Sequence, residues 1–260
     1  MSLTKTSTEI DALRRGGLLL SQALQAAVDA VKPGVTIRSL DAIATEVIEK
    51  GGGKPSFRGY KAGGSIPFPS TVCISVNDEI VHGLGNRNLV LKEGDIVGLD
   101  IGLWLENLAT DMAVTVPVGN VSQERLALIR LTRDAMYAGI DAVKLGGNIA
   151  DIGDAVEDAV DGRYGIVTAL VGHGVGHKVH EPPHIPNYRA GKAFPTVKIV
   201  SGMVLAIEPM LTTGDSDVTT GDDGWTIKTL DGSDAAHFEV TIAVTEAGVE
   251  ILTPQPKVRI

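Results

Sequence analysis

Apolar side chains recur at three- and four-residue steps in four stretches of this chain, which predicts four amphipathic helices. The first runs over residues 18–30 and the third over 126–142. Each closes on nearly the same words, Asp29-Ala-Val-Lys-Pro-Gly34 and Asp141-Ala-Val-Lys-Leu-Gly146. A second helical stretch follows each one, carried by Ile37, Leu40, Ile43 and Val47 in one copy and by Ile149, Ile152, Val156 and Val160 in the other. The glycine at each junction is the expected C-terminal stop of the preceding helix.

The period then changes. Val81-His82-Gly83-Leu84-Gly85 is echoed by Gly172-His173-Gly174-Val175-Gly176. Gly94-Asp-Ile-Val-Gly-Leu-Asp100 is echoed by Gly202-Met-Val-Leu-Ala-Ile-Glu208, each an apolar run ending on a carboxylate. Asp111-Met-Ala-Val-Thr-Val and Glu239-Val-Thr-Ile-Ala-Val each open on one. Such β-branched, apolar runs predict strands. Each echo alone is weak, but their common order in both halves points to a duplicated α/β unit folded around one core. The expectation is a single domain over residues 1–260, with halves of roughly 12–120 and 121–252. The segment 214–223, rich in Gly, Asp and Thr, is expected to be a hairpin loop.

The duplication changes how the acidic residues read. An isolated Asp at a strand end is ordinarily a turn former or a helix cap. Two carboxylates from each half at matched places, Asp100 and Asp111 with Glu208 and Glu239, are better explained by one shared site. Carboxylates that follow apolar runs are costly to bury in the ionised form, and neither Lys nor Arg stands beside them. A pair of divalent ions neutralises four carboxylates together. With an imidazole added, the set suits Mn, Fe, Co or Zn.

Residues 172–184 hold four of the six histidines. Their glycines do not follow GxGxxG, and they are expected to let the backbone approach a ligand while His173 and His180 point inward. His177 and His184 are expected to be exposed. His180-Glu-Pro-Pro-His184 spells HExxH, but that zinc motif needs a helix, which two consecutive prolines oppose. No GxSxG elbow is present, and the single Cys73 reads as a small hydrophobe rather than a nucleophile.

Composition narrows the class. The chain is 43% hydrophobic and 21% charged, as expected of a globular enzyme, and its net charge of -9 with no Lys/Arg block argues against nucleic acid as a partner. One cysteine excludes an intrachain disulfide and fits a reducing compartment. No window reaches the roughly 18–20 apolar residues of a membrane span, and the N-terminus has no signal-peptide core. The expectation is a soluble cytoplasmic protein without a membrane partner.

Taken together, Cys73-Ile-Ser-Val-Asn-Asp-Glu-Ile-Val-His82-Gly, the Asp100 run, Gly172-His-Gly-Val-Gly-His-Lys-Val-His180-Glu, Ile207-Glu208-Pro-Met and Phe238-Glu239-Val-Thr-Ile resemble the class I, bacterial-type methionine aminopeptidases over nearly the whole chain. The resemblance implies the pita-bread fold: a pseudo-twofold α/β (α+β) domain around a curved, mainly antiparallel sheet. It implies two divalent metal ions held by Asp100, Asp111, His173, Glu208 and Glu239, with Asp111 and Glu239 bridging. Asp100 would complete one ion, and His173 with Glu208 the other. The ions would lower the pKa of an attacking water. Glu208 would accept its proton, His180 would steady the oxyanion, and His82 would lie near the substrate backbone and leaving amide. Tyr60, Phe68, Cys73 and Trp225 would line the methionine pocket, although ordinary core packing explains the three aromatics equally well. The implied reaction removes N-terminal methionine from nascent chains, preferring a small second residue, by a monomer for which the ribosome is a candidate docking partner.

Three features depart from the family pattern. Residues 59–69 carry an inserted Ala62-Gly-Gly-Ser-Ile-Pro67, Val179 stands where a pocket aromatic is frequent, and Pro182-Pro183 replaces a more acidic stretch. Two alternatives share the scaffold. One is an Xaa-Pro aminopeptidase or prolidase, whose members carry an added N-terminal domain, whereas the repeat here begins near residue 1. The other is a non-catalytic binding protein, whose members lose ligand residues that this chain keeps. The class II methionine enzymes carry a large insertion, and none separates His180 from Glu208.

Overall fold

A computed structural model describes residues 3–61, 66–191 and 194–258. Ala62 to Ser65 of the insertion lie outside the described residues. The chain opens with α1 (Ser7–Ala30) and α2 (Ile37–Lys50), followed by β1 (Lys54–Pro55), β2 (Val72–Val76), β3 (Glu79–Val81), β4 (Ile96–Leu105) and β5 (Leu108–Pro117). The second half repeats the opening with α3 (Gln123–Ala142) and α4 (Ala150–Val160). Then come β6 (Gly165–Ile166), β7 (Gly172–Gly174), β8 (Glu181–Ile185), β9 (Val204–Ile207), β10 (Met210–Thr212), β11 (Val218–Thr220), β12 (Ile227–Thr229), β13 (Ala235–His237), β14 (Glu239–Thr245) and β15 (Gly248–Ile251).

The four expected helices are present, α1 beginning at Ser7 rather than near residue 18, and the starts of all but α4, which has no side-chain cap, are written in the sequence. Thr6 caps α1 in a capping box with Glu9, Thr36 caps α2 and Ser122 caps α3, each hydroxyl accepting a first-turn N–H. Their ends differ from the expectation. α1 and α3 stop at Val31 and Val143, which are already extended, and the glycines fall in the turns that follow. Val35 N–H bonds to Lys32 O and Gly147 N–H to Lys144 O, enclosing Gly34 at φ 88° and Gly146 at φ 82°. The glycine is needed by the turn, whose third position has positive φ, and not by the helix cap.

Nine of the strands form one sheet in the order β1-β4-β5-β14-β9-β7-β8, with β2 also on β4 and β15 also on β14, and the rest form two three-stranded sheets, β13-β10-β6 and β11-β12-β3. Every pair in the nine-stranded sheet is antiparallel. β5 of the first half pairs with β14 of the second, so the halves share the sheet rather than meeting at a loop. Leu20, Leu24, Leu40, Ile48, Leu128, Met136, Ile152 and Val156 are buried in the core cluster behind it, together with Ile101, Val114, Leu205 and Ile242 of the strands. Each such side chain gains about 1.5–3 kcal/mol from burial, and the layer of helices leaves the opposite face of the sheet free for polar groups.

Segment 214–223 is not wholly a loop. Val218-Thr-Thr forms β11, which pairs with β12, and the turn is confined to the residues between them. There Asp223 accepts the N–H groups of Trp225 and Thr226. The other side of β12 pairs with β3, Ile227 opposite Val81, which brings Trp225 close to His82.

Candidate metal centre

Side chains alternate across a strand, so residues directly opposite each other, or two apart, share a face. Cys73 stands opposite Asp100, Asp100 opposite Ala113, and Ala113 opposite Glu239. Asp111 lies two residues from Ala113 and joins the same face. On the far side, Val240 pairs with Ile207, so the next positions, Glu239 and Glu208, come together as β9 ends. His173 stands opposite Ala206, two residues before Glu208. The pleat thus gathers four carboxylates, an imidazole and a thiol from five strands and the residue following a sixth.

Gly172 and Gly174 flank His173, and here their missing side chains matter. A Cβ on Gly172 would meet Ala206 O at 2.5 Å, and one on Gly174 would meet Pro182 O at 2.3 Å. The glycines therefore let β7 fit between β8 and β9, where the sequence suggested an approach to a ligand. His180-Glu-Pro-Pro-His184 is extended, not helical, and His180 stands at its start.

These residues line a cavity of about 400 Å³. Candidate donor atoms lie within 4.8 Å of one another in three groups: Asp100, Asp111 and Glu239; His173, Glu208 and Glu239; and Asp111, His173 and His180. Glu239, Asp111 and His173 each belong to two groups, so the shared carboxylates are Glu239 and Asp111. Asp111, Glu208 and Glu239 are buried, and each of the four carboxylates presents a buried oxygen without a hydrogen-bond partner. None of the four pairs with Lys or Arg among the described residues. Burial pushes the Asp100 carboxyl up to about 7. Burial and then the neighbouring carboxylates raise Asp111, Glu208 and Glu239 well above their usual range. Four crowded carboxylates with orphaned oxygens either keep protons or hold cations.

His173 offers a neutral donor atom to this cluster. Burial, reinforced by His180, holds its pKa near 3, so its ring is neutral. Nδ1 donates to Gly174 O at 3.0 Å, which leaves the Nε2 lone pair free, 3.2 Å from Glu208 Oε1. The oxygen and imidazole donors fit a divalent transition ion.

The remaining predicted residues form the cavity wall. His82 has φ 59°, a left-handed backbone uncommon outside glycine and a mark of strain at functional sites. Burial, then His180, lowers its pKa to about 4. Phe68 and Trp225 pack edge to face with centroids 5.3 Å apart, and Cys73 is buried beside them. Desolvation raises its thiol, followed by the charges of Asp100 and Asp111, in keeping with an inert side chain. Tyr60 reaches His180, which is exposed at the cavity mouth rather than buried. His184 is exposed as expected, but His177 is half-buried and bonded to Glu9 at 2.8 Å. Val179 lies outside this cavity, in the wall of a smaller one with Trp104 and Tyr60.

Sequence reasoning missed Phe57, Met210 and His237, all of which line the cavity. His237 left one available signal, an imidazole two residues before the Glu239 carboxylate on the same chain.

The fold and site define a metallopeptidase, and comparison with known proteins gives the same class. The chain belongs to metallopeptidase family M24, whose sequence profile matches residues 11–246. Within it, its place is among the methionine aminopeptidases. It is 41% identical to a methionine aminopeptidase of Clostridium acetobutylicum over 97% of this chain and 99% of that one. The crystal structure of a methionine aminopeptidase from Thermotoga maritima superposes with a TM-score of 0.91 at 39% identity, covering 97% of this chain and 99% of that chain. A prolidase from Pyrococcus furiosus shares the fold alone, with a TM-score of 0.77 at 21% identity over 98% of this chain and 66% of that one. The architecture is the pita-bread fold that the resemblance implied.

Proposed function

We propose that the chain removes N-terminal methionine with two divalent ions held by Asp100, Asp111, His173, Glu208 and Glu239. The observation that carries this reading is the meeting of four carboxylates with orphaned oxygens and one neutral imidazole on a single sheet face. Asp111 and Glu239, the two carboxylates that each belong to two donor groups, would be shared between the ions, while Asp100 would complete one site and His173 with Glu208 the other. When bound, the ions lower the pKa of water and polarise the scissile carbonyl.

The chain's own residues do the rest. The Phe68, Cys73 and Trp225 wall, with Tyr60, takes up the methionine side chain, an apolar slot suited to a thioether. His180 donates to the carbonyl oxygen as it gains charge. Glu208 accepts the proton from the attacking water, and His82 stands near the leaving amide. Both halves supply ligands, so the two act as a single catalytic domain. Among the described residues, no helix is long and apolar enough to cross a membrane. With one free cysteine, a cytoplasmic enzyme acting as a monomer on nascent chains with a small second residue is the reading we favour.

The test is an assay of metal-stripped protein supplied separately with Mn, Co, Fe or Zn, on a Met-Ala peptide and an Ala-Pro peptide. Metal-dependent release of methionine is expected. Cleavage of the Ala-Pro peptide only would overturn the specificity, and a protein that takes up no ion would overturn the site.

A further inference from the structure

We infer that His237 is a positioning residue for Glu208, a role that rests on the metal-site reading above. His237 is buried, lines the cavity, and keeps a buried Nε2 with no hydrogen-bond partner. That nitrogen lies 3.9 Å from Glu208 Oε2, while His173 Nε2 lies 3.2 Å from Oε1. The carboxylate is thus bracketed by two imidazoles, one at each oxygen.

The two imidazoles differ in what they offer. His173 spends its Nδ1 hydrogen on Gly174 O, so its Nε2 faces Glu208 as a lone pair suited to a cation between them. The Nε2 of His237 is free to carry a hydrogen. It stands within about 1 Å of hydrogen-bond reach of Oε2, and such bonds are often long in ligand-free sites and tighten once the site is filled. A donor on Oε2 fixes which oxygen turns to the ions and stops the carboxylate from rotating.

The backbone holds His237 for this task. Its N–H donates to Thr115 Oγ1 at 2.9 Å, and the same hydroxyl donates to its carbonyl at 2.9 Å. It pairs opposite Met210 in β10, the strand that begins two residues after Glu208, and the Glu208 carbonyl is held by Asn187 Nδ2 at 3.1 Å. His237 is therefore paired to a strand that begins only two residues after Glu208, and the Phe238 N–H bonds to Pro209 O between them. Groups that hydrogen-bond a metal-ligating carboxylate from outside commonly change metal affinity or activity by 10–100-fold when removed.

The experiment titrates metal-free protein with Mn by calorimetry and measures kcat and KM for a Met-Ala peptide at saturating Mn. In His237→Leu, one Mn-binding step is expected to weaken about 10-fold and kcat to fall by a similar factor, with KM changing less than about threefold. His237→Gln, whose amide nitrogen can reach Oε2, is expected to stay within about threefold of the parent in both readouts. His237→Asn, one carbon shorter, is expected to fall with Leu. The Gln and Asn pair carries the comparison if the Leu variant fails to fold. Parental Mn affinity and kcat in His237→Leu, or a Gln variant as impaired as Asn, would overturn the inference. A parent protein that itself binds no Mn would instead remove the metal-site reading beneath it.

Discussion

The Tyr60 hydroxyl lies 2.8 Å from His180 Nδ1, with the two rings edge to face at 5.3 Å. Burial, then the charge of Asp111, raises the Tyr60 pKa, so the phenol keeps its hydrogen and has it to donate to His180. When Nδ1 accepts that hydrogen, the neutral imidazole carries its own on Nε2, the form needed to donate to a developing oxyanion. Tyr60→Phe removes that constraint without emptying the wall. We expect kcat for a Met-Ala peptide to fall about 10-fold, with Mn affinity unchanged. Unaltered kcat would show that the tautomer is set elsewhere.

Asp111 offers the sharpest test of the bridge. Asp111→Asn keeps the shape of the side chain but removes a charge that the ions would neutralise, and activity should drop about 100-fold or more. Stability should not follow. Asp111 is buried, one of its oxygens is orphaned, and its pKa is raised by burial and by Asp100 and Glu208. The metal-free variant should therefore melt no lower than the metal-free parent. Calorimetric scans of both, beside the peptide assay, separate the two effects. A variant that keeps its activity would take Asp111 out of the bridge.

The five proposed ligands were legible because the chain repeats itself and each carboxylate has a counterpart in the other half. His237 was not legible for the same reason. It stands two residues before Glu239, and the matching place, two before Asp111, holds Ala109, where the repeat is silent. The junction glycines were read as helix stops because composition locates a turn more readily than it separates a cap from the tight turn after it. Phe57 and Met210 reach the cavity through tertiary packing that periodicity does not encode. The pairing of Lys5 with Glu181 was also out of sight, since it spans 176 residues.

That pairing ties the N-terminal segment to the strand that follows His180. Both side chains are almost fully buried, and Glu181 also accepts the Lys178 N–H at 3.0 Å. Removing one member of such a pair leaves an uncompensated charge, commonly a loss of about 3–5 kcal/mol. Lys5→Met should therefore destabilise the protein by about 3 kcal/mol in urea unfolding. The double variant with Glu181→Gln should regain much of it, because no lone charge remains. A single variant as stable as the parent would mean that water reaches Glu181 and screens it.

Proton and metal compete for the same oxygens, and the competition fixes the sign of the pH dependence. Asp100 rises from 3.8 to about 7 on folding, and the other three carboxyls are also raised well above their usual range. A raised pKa means that the folded state binds more protons than the unfolded one between the two values. The associated stability is present below the unfolded pKa and lost as pH rises through the folded one. The four carboxyls should thus make chelated protein melt at a lower temperature at pH 8 than at pH 5. They work against buried His82, His173 and His237, whose pKa values fall from 6.5 to about 4, 3 and 3 and which cost stability as pH drops below 6.5. Going no lower than pH 5 matters, because Glu9 is held near 2 by its bond to His177 and Asp231 by its bonds to Ser233 and Asp215, and both lose their contributions in more acid solution. With Mn bound the slope should reverse, since the ions need the carboxylates deprotonated. Thermal scans of chelated and Mn-loaded protein across pH 5 to 8 supply the comparison. Parallel slopes in the two forms would mean that these oxygens are not where the metal binds.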